Sequence, residues 1–183
     1  MQNKTRLFVI GSTISTALLT GGFFISGVSE QQVQATMAKE GFTAKPIIPV
    51  KGDVPTIGPG ITVYPDGTRV KMTDPPITKK QGLELLKAHM DKDAQRFNKT
   101  ILNVPISQTE YDVYMDFTYQ YGTGAWSQSS MLRNLKQGKY KAACDSLLKY
   151  KYVAKRDCSI RKNNCYGVWT RQVERHSKCL GVQ

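Results

Sequence analysis

The run from Leu7 to Val28 holds 22 consecutive uncharged residues, and no other feature constrains the folding of this chain as strongly. A helix of that length reaches roughly 33 Å, enough to cross the hydrocarbon core of a bilayer. Half of the run is Gly, Ser, Thr or Ala, among them Gly11, Ser12, Thr16, Gly21 and Gly22. Its preference for lipid is therefore marginal, and such a segment can enter a membrane and leave it again. Lys4 and Arg6 precede it and Glu30 comes after it, which by the positive-inside tendency keeps the N-terminus in the cytoplasm and exports the rest of the chain. Two readings compete: a cleaved export signal, for which Val33-Gln34-Ala35 is a poor cleavage site, and a buried core helix. The expected organisation is an N-terminal signal-anchor segment over residues 1–29 and one exported domain over residues 30–183.

The exported part, about 155 residues, is the usual size of one domain with its own core. Cys144, Cys158, Cys165 and Cys179 all fall near its end. An even number of cysteines in an exported chain reads as two disulfides. Three pairings are possible. Cys144 with Cys179 and Cys158 with Cys165 is favoured, because the second pair closes a short loop and the first joins two helical segments. Zinc is the rival use, but there is no Cys-x-x-Cys, and neither His89 nor His176 falls in a ligand pattern. No metal or cofactor is expected. The formal charge of +12 favours an anionic partner, or simply a solvated basic surface. The basic residues form no dense tract and no nucleic-acid-binding signature is present, so nucleic acid is not expected as a partner.

Residues Glu30 to Lys39 read as a helix continuing from the apolar segment and ending at Gly41. From Phe42 to Lys71 the text is rich in Pro, Gly, Val, Ile and Thr, and Tyr64-Pro65-Asp66-Gly67-Thr68 reads as a turn between two short strands. Thr78 is placed to cap a helix carrying Leu83, Leu85, Leu86, Met90 and Phe97. Ser107 or Thr109 caps another, with Tyr111, Tyr114, Met115, Thr118 and Tyr119 inward, which Tyr121-Gly122-Thr123-Gly124 is expected to stop. Helical stretches come next over Ser127 to Gln137, Lys139 to Tyr150 and about Val168 to Leu180. The fold class is α+β: a small antiparallel β region, then a mainly helical lobe.

Carboxylates are few enough to sort. Glu40 stands where a helix ends, beside Gly41 and Phe42, and a partly desolvated carboxyl there would suit a general acid. Asp53 lies on the following loop, able to face it across a cleft. Thr56 can orient a water. Two carboxylates in unequal environments are the minimum apparatus for glycoside hydrolysis. On spacing alone, a surface Glu and a turn Asp is the plainer reading. The tyrosines at 111, 114, 119 and 121 could stack on sugar, though core packing is the plainer use. The cysteines and histidines make no nucleophile pair, and Ser129 and Ser130 have no His-Asp partnership.

Five blocks carry a resemblance: Glu40-Gly41-Phe42; Gly52 to Gly60; Tyr119 to Trp126; Ser130 to Leu135; and Gly138 to Cys144. In order and separation they resemble the phage-type lysozymes, glycoside hydrolase family 24. Gly167 to Arg175 followed by Cys179 resembles that family's closing helix. With the N-terminal run included, the whole chain is similar to signal-arrest-release endolysins. The resemblance implies a lysozyme-like fold and hydrolysis of the β-1,4 bond between N-acetylmuramic acid and N-acetylglucosamine in bacterial peptidoglycan, usually with inversion. It implies Glu40 as proton donor and Thr56 in the family's threonine position. The family spacing is Glu, eight residues, Asp, five residues, Thr. Here Glu40 and Thr56 fit with one extra residue between them, Val50 stands six before Thr56 where the Asp belongs, and Asp53 is the displaced candidate. Ser130 and Asp145 fall near cleft-lining positions of relatives, with a helix cap and a solvated helix residue as the plainer readings. The implied enzyme is a monomer, held at the host inner membrane through residues 7–28 with its catalytic domain in the periplasm, then released. No cysteine occurs before Cys144, so thiol exchange from the anchor plays no part. The alternatives are a tethered wall-binding module without catalysis and a membrane-disrupting cationic protein.

Overall fold

A computed structural model describes residues 5–9, 25 and 27–183 of the chain. It divides into two compact units, one over Gly27–Ala94 and one made of Gln95–Gln183 with the described residues up to 9 and residue 25.

In the Gly27–Ala94 unit, the Ser29 hydroxyl accepts from the Gln32 amide and opens helix α1, Glu30–Glu40. Val33 and Met37 are buried along it. The Gly41 amide donates back to the Met37 carbonyl and closes it, one residue past the expected Lys39. Strand β1, Thr43–Ile47, pairs antiparallel with β2, Thr56–Gly58, in a register that sets Thr43 against Gly58 and Ile47 against Thr56. Further bridges join Ile57 to Ile61 and Val63 to Arg69 around the expected turn at 64–68. Thr78 and Gln81 cap each other at the start of α2, Lys79–Ile101. Its stripe of Leu86, Met90, Ala94, Phe97 and Ile101 is buried, as the helical spacing requires.

The other unit is helical. A capping box between Ser107 and Glu110 starts α3, Gln108–Ser127, and every residue from Glu110 to Thr118 is buried. The sequence expects this helix to stop at 121–124. The helix does break there: Gly122, at φ 83° and ψ 160°, takes a non-helical conformation that only glycine adopts easily. A second short helical stretch runs from there to Ser127, and in it Trp126 is fully buried, donates from Nε1 to Thr100 Oγ1 at 2.9 Å and packs on Phe97 and Tyr114. Helices α4, Ser130–Lys136, and α5, Tyr140–Ser146, come after it. A hairpin of β3, Tyr152–Val153, and β4, Arg156–Asp157, is next, then α6, Tyr166–Leu180. Disulfides join Cys144 to Cys179 and Cys158 to Cys165, the favoured pairing, and so take up all four cysteines.

An anchor helix is expected over residues 7–28. Most of it lies outside the described residues, but those that are described do not share one helix. Leu7 exchanges backbone hydrogen bonds with Ile106 at 2.7 and 2.9 Å, and Val9 is a parallel bridge partner of Ile25. Bridge partners lie about 5 Å apart, whereas one continuous helix would hold these two roughly 24 Å apart. Val9 and Ile25 are buried, and the Arg6 guanidinium lies 3.4 Å from the fully buried carboxylate of Glu110. Among the described residues no helix is long and apolar enough to cross a membrane.

Candidate functional site

All three predicted site residues fall in the Gly27–Ala94 unit. Glu40 is the last residue of α1, and the chain turns at once through Gly41 and Phe42 into β1. This corner is held from below by α2: a Cβ on Gly82 would meet the Phe42 ring at 2.8 Å and the Met37 Cε at 3.6 Å, so only glycine lets the ring sit so close. Glu40 itself is exposed, which corrects the expectation of a partly desolvated carboxyl. A methionine and an aromatic ring lie under the corner while the carboxyl reaches solvent.

Between β1 and β2 the Asp53 amide donates to the Val50 carbonyl at 2.9 Å, forming a tight turn with Gly52 at φ 90° in the position that favours glycine. The turn holds the Cα atoms of Val50 and Asp53 within about 7 Å of each other. The Asp53 Oδ1 accepts from the Val54 amide at 2.8 Å, which fixes the carboxylate's direction. Thr56 opens β2 opposite Ile47, its hydroxyl 3.5 Å from the Ile47 carbonyl. The ladder thus folds Thr56 back along the strand that Glu40 leads into.

A family model described as phage lysozyme matches residues 37–175. The chain belongs to the phage lysozyme family. This lysozyme-family chain is 31% identical over 130 residues to the endolysin of Salmonella phage P22, covering 70% of this chain and 86% of that protein. It is 32% identical over 83 residues to a SAR-endolysin of Escherichia phage 933W, covering 44% of this chain and 47% of that one. A crystal structure of a P22 lysozyme mutant superposes with a TM-score of 0.71 at 26% identity, covering 85% of this chain and 99% of that chain. The active form of the P1 phage endolysin Lyz matches with a TM-score of 0.63 at 14% identity, over 84% and 85% of the two chains, a likeness of fold alone. The lysozyme-like fold expected from the motifs is therefore the fold of this family member, small antiparallel sheets with mostly helices.

Other residues singled out in the sequence have structural work. In this lysozyme-family chain Tyr111 and Tyr114 are fully buried, and Tyr121 stacks on Phe117 and accepts from Gln172 Nε2 at 2.8 Å. Ser129 caps α4, and Ser130 is its first residue. Asp145 pairs with Lys141 at 2.9 Å and with His176 Nε2 at 2.9 Å; hydrogen bonds from Lys141 and then His176 hold its carboxyl below the ordinary range. Among the described residues no cluster of three or more His, Cys, Asp and Glu could hold a metal. Two features of the site lie beyond the sequence reading. Gly82 beneath Phe42 gives no local signal, since a glycine inside a helical pattern usually only weakens it. The Val50–Asp53 turn does have a signal in Lys51-Gly52-Asp53, a glycine followed by aspartate, which marks a turn without marking a site.

Proposed function

We propose that this chain is an endolysin that hydrolyses the β-1,4 bond between N-acetylmuramic acid and N-acetylglucosamine in bacterial peptidoglycan. The observation that carries the reading is the family match running from residue 37 to residue 175, which takes in the Glu40 corner, the β1–β2 loop and most of the helical unit. In this reading Glu40 gives its proton to the leaving oxygen. Asp53 activates a water on the opposite face of the sugar, Thr56 orients that water, and the anomeric centre inverts. The Val50–Asp53 turn supports Asp53, because it returns the carboxylate to the neighbourhood of the position where the family carries one. The basic surface suits an anionic cell wall.

Digestion of purified peptidoglycan followed by mass spectrometry is the test. Reducing muramic ends are expected, and Glu40→Gln should abolish them. Anhydro ends would mean a transglycosylase instead, and full activity in Glu40→Gln would remove Glu40 from the chemistry.

Localisation belongs to the same proposal. Residues 7–28 hold the new protein in the inner membrane as a monomer, with residues 30–183 in the periplasm, until the segment leaves the bilayer. The similarity to a SAR-endolysin and the half-small composition of the run support this reading. Dissipating the membrane potential should move protein from the membrane to the soluble fraction and start lysis; a potential-independent distribution would end the release model.

A further inference from the structure

The β3–β4 hairpin and the cystine loop beside it are not used by the proposed chemistry. Between Lys149 and Lys162 the chain has six Lys or Arg and one acidic residue, Asp157. That carboxylate is already taken: Lys151 Nζ lies 2.7 Å away and the Ser159 hydroxyl donates to it at 2.6 Å. Lys155, Arg156, Arg161 and Lys162 are exposed. So are three apolar side chains in the same segment, Tyr152 at 56%, Val153 at 37% and Ile160 at 44%. The hairpin tip is Ala154-Lys155, with φ 47° and 65°. Two-residue hairpin turns of this hand normally carry Asn-Gly, because other residues are disfavoured at positive φ. Here the conformation is held by the β3–β4 pairs, by the Cys158 amide donating to the Lys151 carbonyl at 2.7 Å, and by the Cys158–Cys165 disulfide. A rigid tip thus carries a cation where glycine would relieve strain, flanked by exposed apolar side chains.

We propose that this cystine-closed hairpin, residues 151–165, is a docking tip for the surface of a bilayer rich in anionic phospholipid. The headgroup region is the partner that accepts both chemistries at once: phosphates for Lys155, Arg156 and Lys162, and a shallow apolar layer for Tyr152, Val153 and Ile160. An anionic polysaccharide matches the charge but offers little to exposed valine and isoleucine. The tip docks on membrane and does not disrupt it, and it acts independently of Glu40.

The full chain also carries the uncharged 7–28 run, so the test reads the tip itself. Tyr152→Trp is mixed with phosphatidylglycerol vesicles. Its added emission should shift to the blue and be quenched by brominated phosphatidylglycerol, with no such change in phosphatidylcholine. Lys155→Gln with Arg156→Gln in that background should weaken the tip signal's vesicle affinity about thirtyfold, since each cation near an anionic surface contributes about fivefold. If that pair misfolds, as judged by its disulfides and peptidoglycan digestion, Val153→Ser carries the test with an expected loss of about fivefold. Absence of quenching, equal response to phosphatidylcholine, unchanged affinity in the variants, or a response to isolated sacculi alone would each overturn the proposal.

Discussion

Arg175 on α6 donates from Nε to the Asp116 carboxylate on α3 at 2.6 Å, across 59 positions of sequence. Both residues are almost completely buried. Arg175 also donates from Nη2 to the Asp116 carbonyl, and Arg171 reaches the same carboxylate at 3.2 Å. Removing one partner of a buried pair leaves a charge in a low-dielectric interior, so Asp116→Asn should destabilise the protein by about 3 kcal/mol or more. Urea unfolding measures this, and a loss under about 1 kcal/mol would mean that Arg175 finds another partner.

Stability should also depend on pH through the same carboxylate. Burial pushes the Asp116 carboxyl up, but Arg175 and Arg171 together outweigh burial and hold it below the ordinary value. Asp157 is lowered to about 2, by its hydrogen bond from Lys151 and then those from Ser159. Both are stronger acids folded than unfolded. Their stabilisation is complete above the unfolded value near 3.9 and is lost as pH falls through the lower folded values. Unfolding free energy should therefore decline below about pH 4, and Asp116→Asn should flatten the decline. An equal slope in parent and variant would assign the acid sensitivity to other groups.

If Asp53 does the work of the family's aspartate from a shifted position, Asp53→Asn should lower peptidoglycan hydrolysis by about a hundredfold or more. Adding Val50→Asp to that variant should restore a large part of the rate, because the Val50–Asp53 turn keeps the two positions close. Full activity in Asp53→Asn alone would leave the water to Thr56.

The two disulfides should differ in worth. Cys144–Cys179 closes 35 residues and Cys158–Cys165 closes 7. On the chain-entropy model the first stabilises by about 4 kcal/mol and the second by about 2 kcal/mol. Denaturant titration of the two paired serine variants checks the order; a larger loss from the short loop would contradict it.

Much of the fold is legible in the sequence because local chemistry and packing agree. Gly41 closes α1, Thr78 caps α2, and the apolar stripe from Leu86 to Ile101 is both periodic and buried. Misreadings arise where distant contacts decide. The break at Gly122 is where the sequence puts it, but the short helical stretch after it, which buries Trp126, is not foreseen, and nothing beside Trp126 in sequence announces Thr100 as its partner. The β3–β4 hairpin is hidden because Ala154-Lys155 is not a turn pair that sequence rules favour. At the candidate site, the motif draws attention to Glu40 and Thr56, whereas the glycine that seats Phe42 lies 40 residues further on. The buried carboxylates of Glu110 and Asp116 read as ordinary polar positions, since their partners Arg6, Arg171 and Arg175 are far along the chain.

The backbone pairing of Leu7 with Ile106, and of Val9 with Ile25, makes these residues rungs of the folded protein. A residue cannot be such a rung and lie in a lipid-spanning helix at the same time. Any bilayer that takes up the segment therefore acts on the native state as a competitor, withdrawing by mass action a piece of the protein's own interior. Lipid content would then set how much of the chain is completely folded.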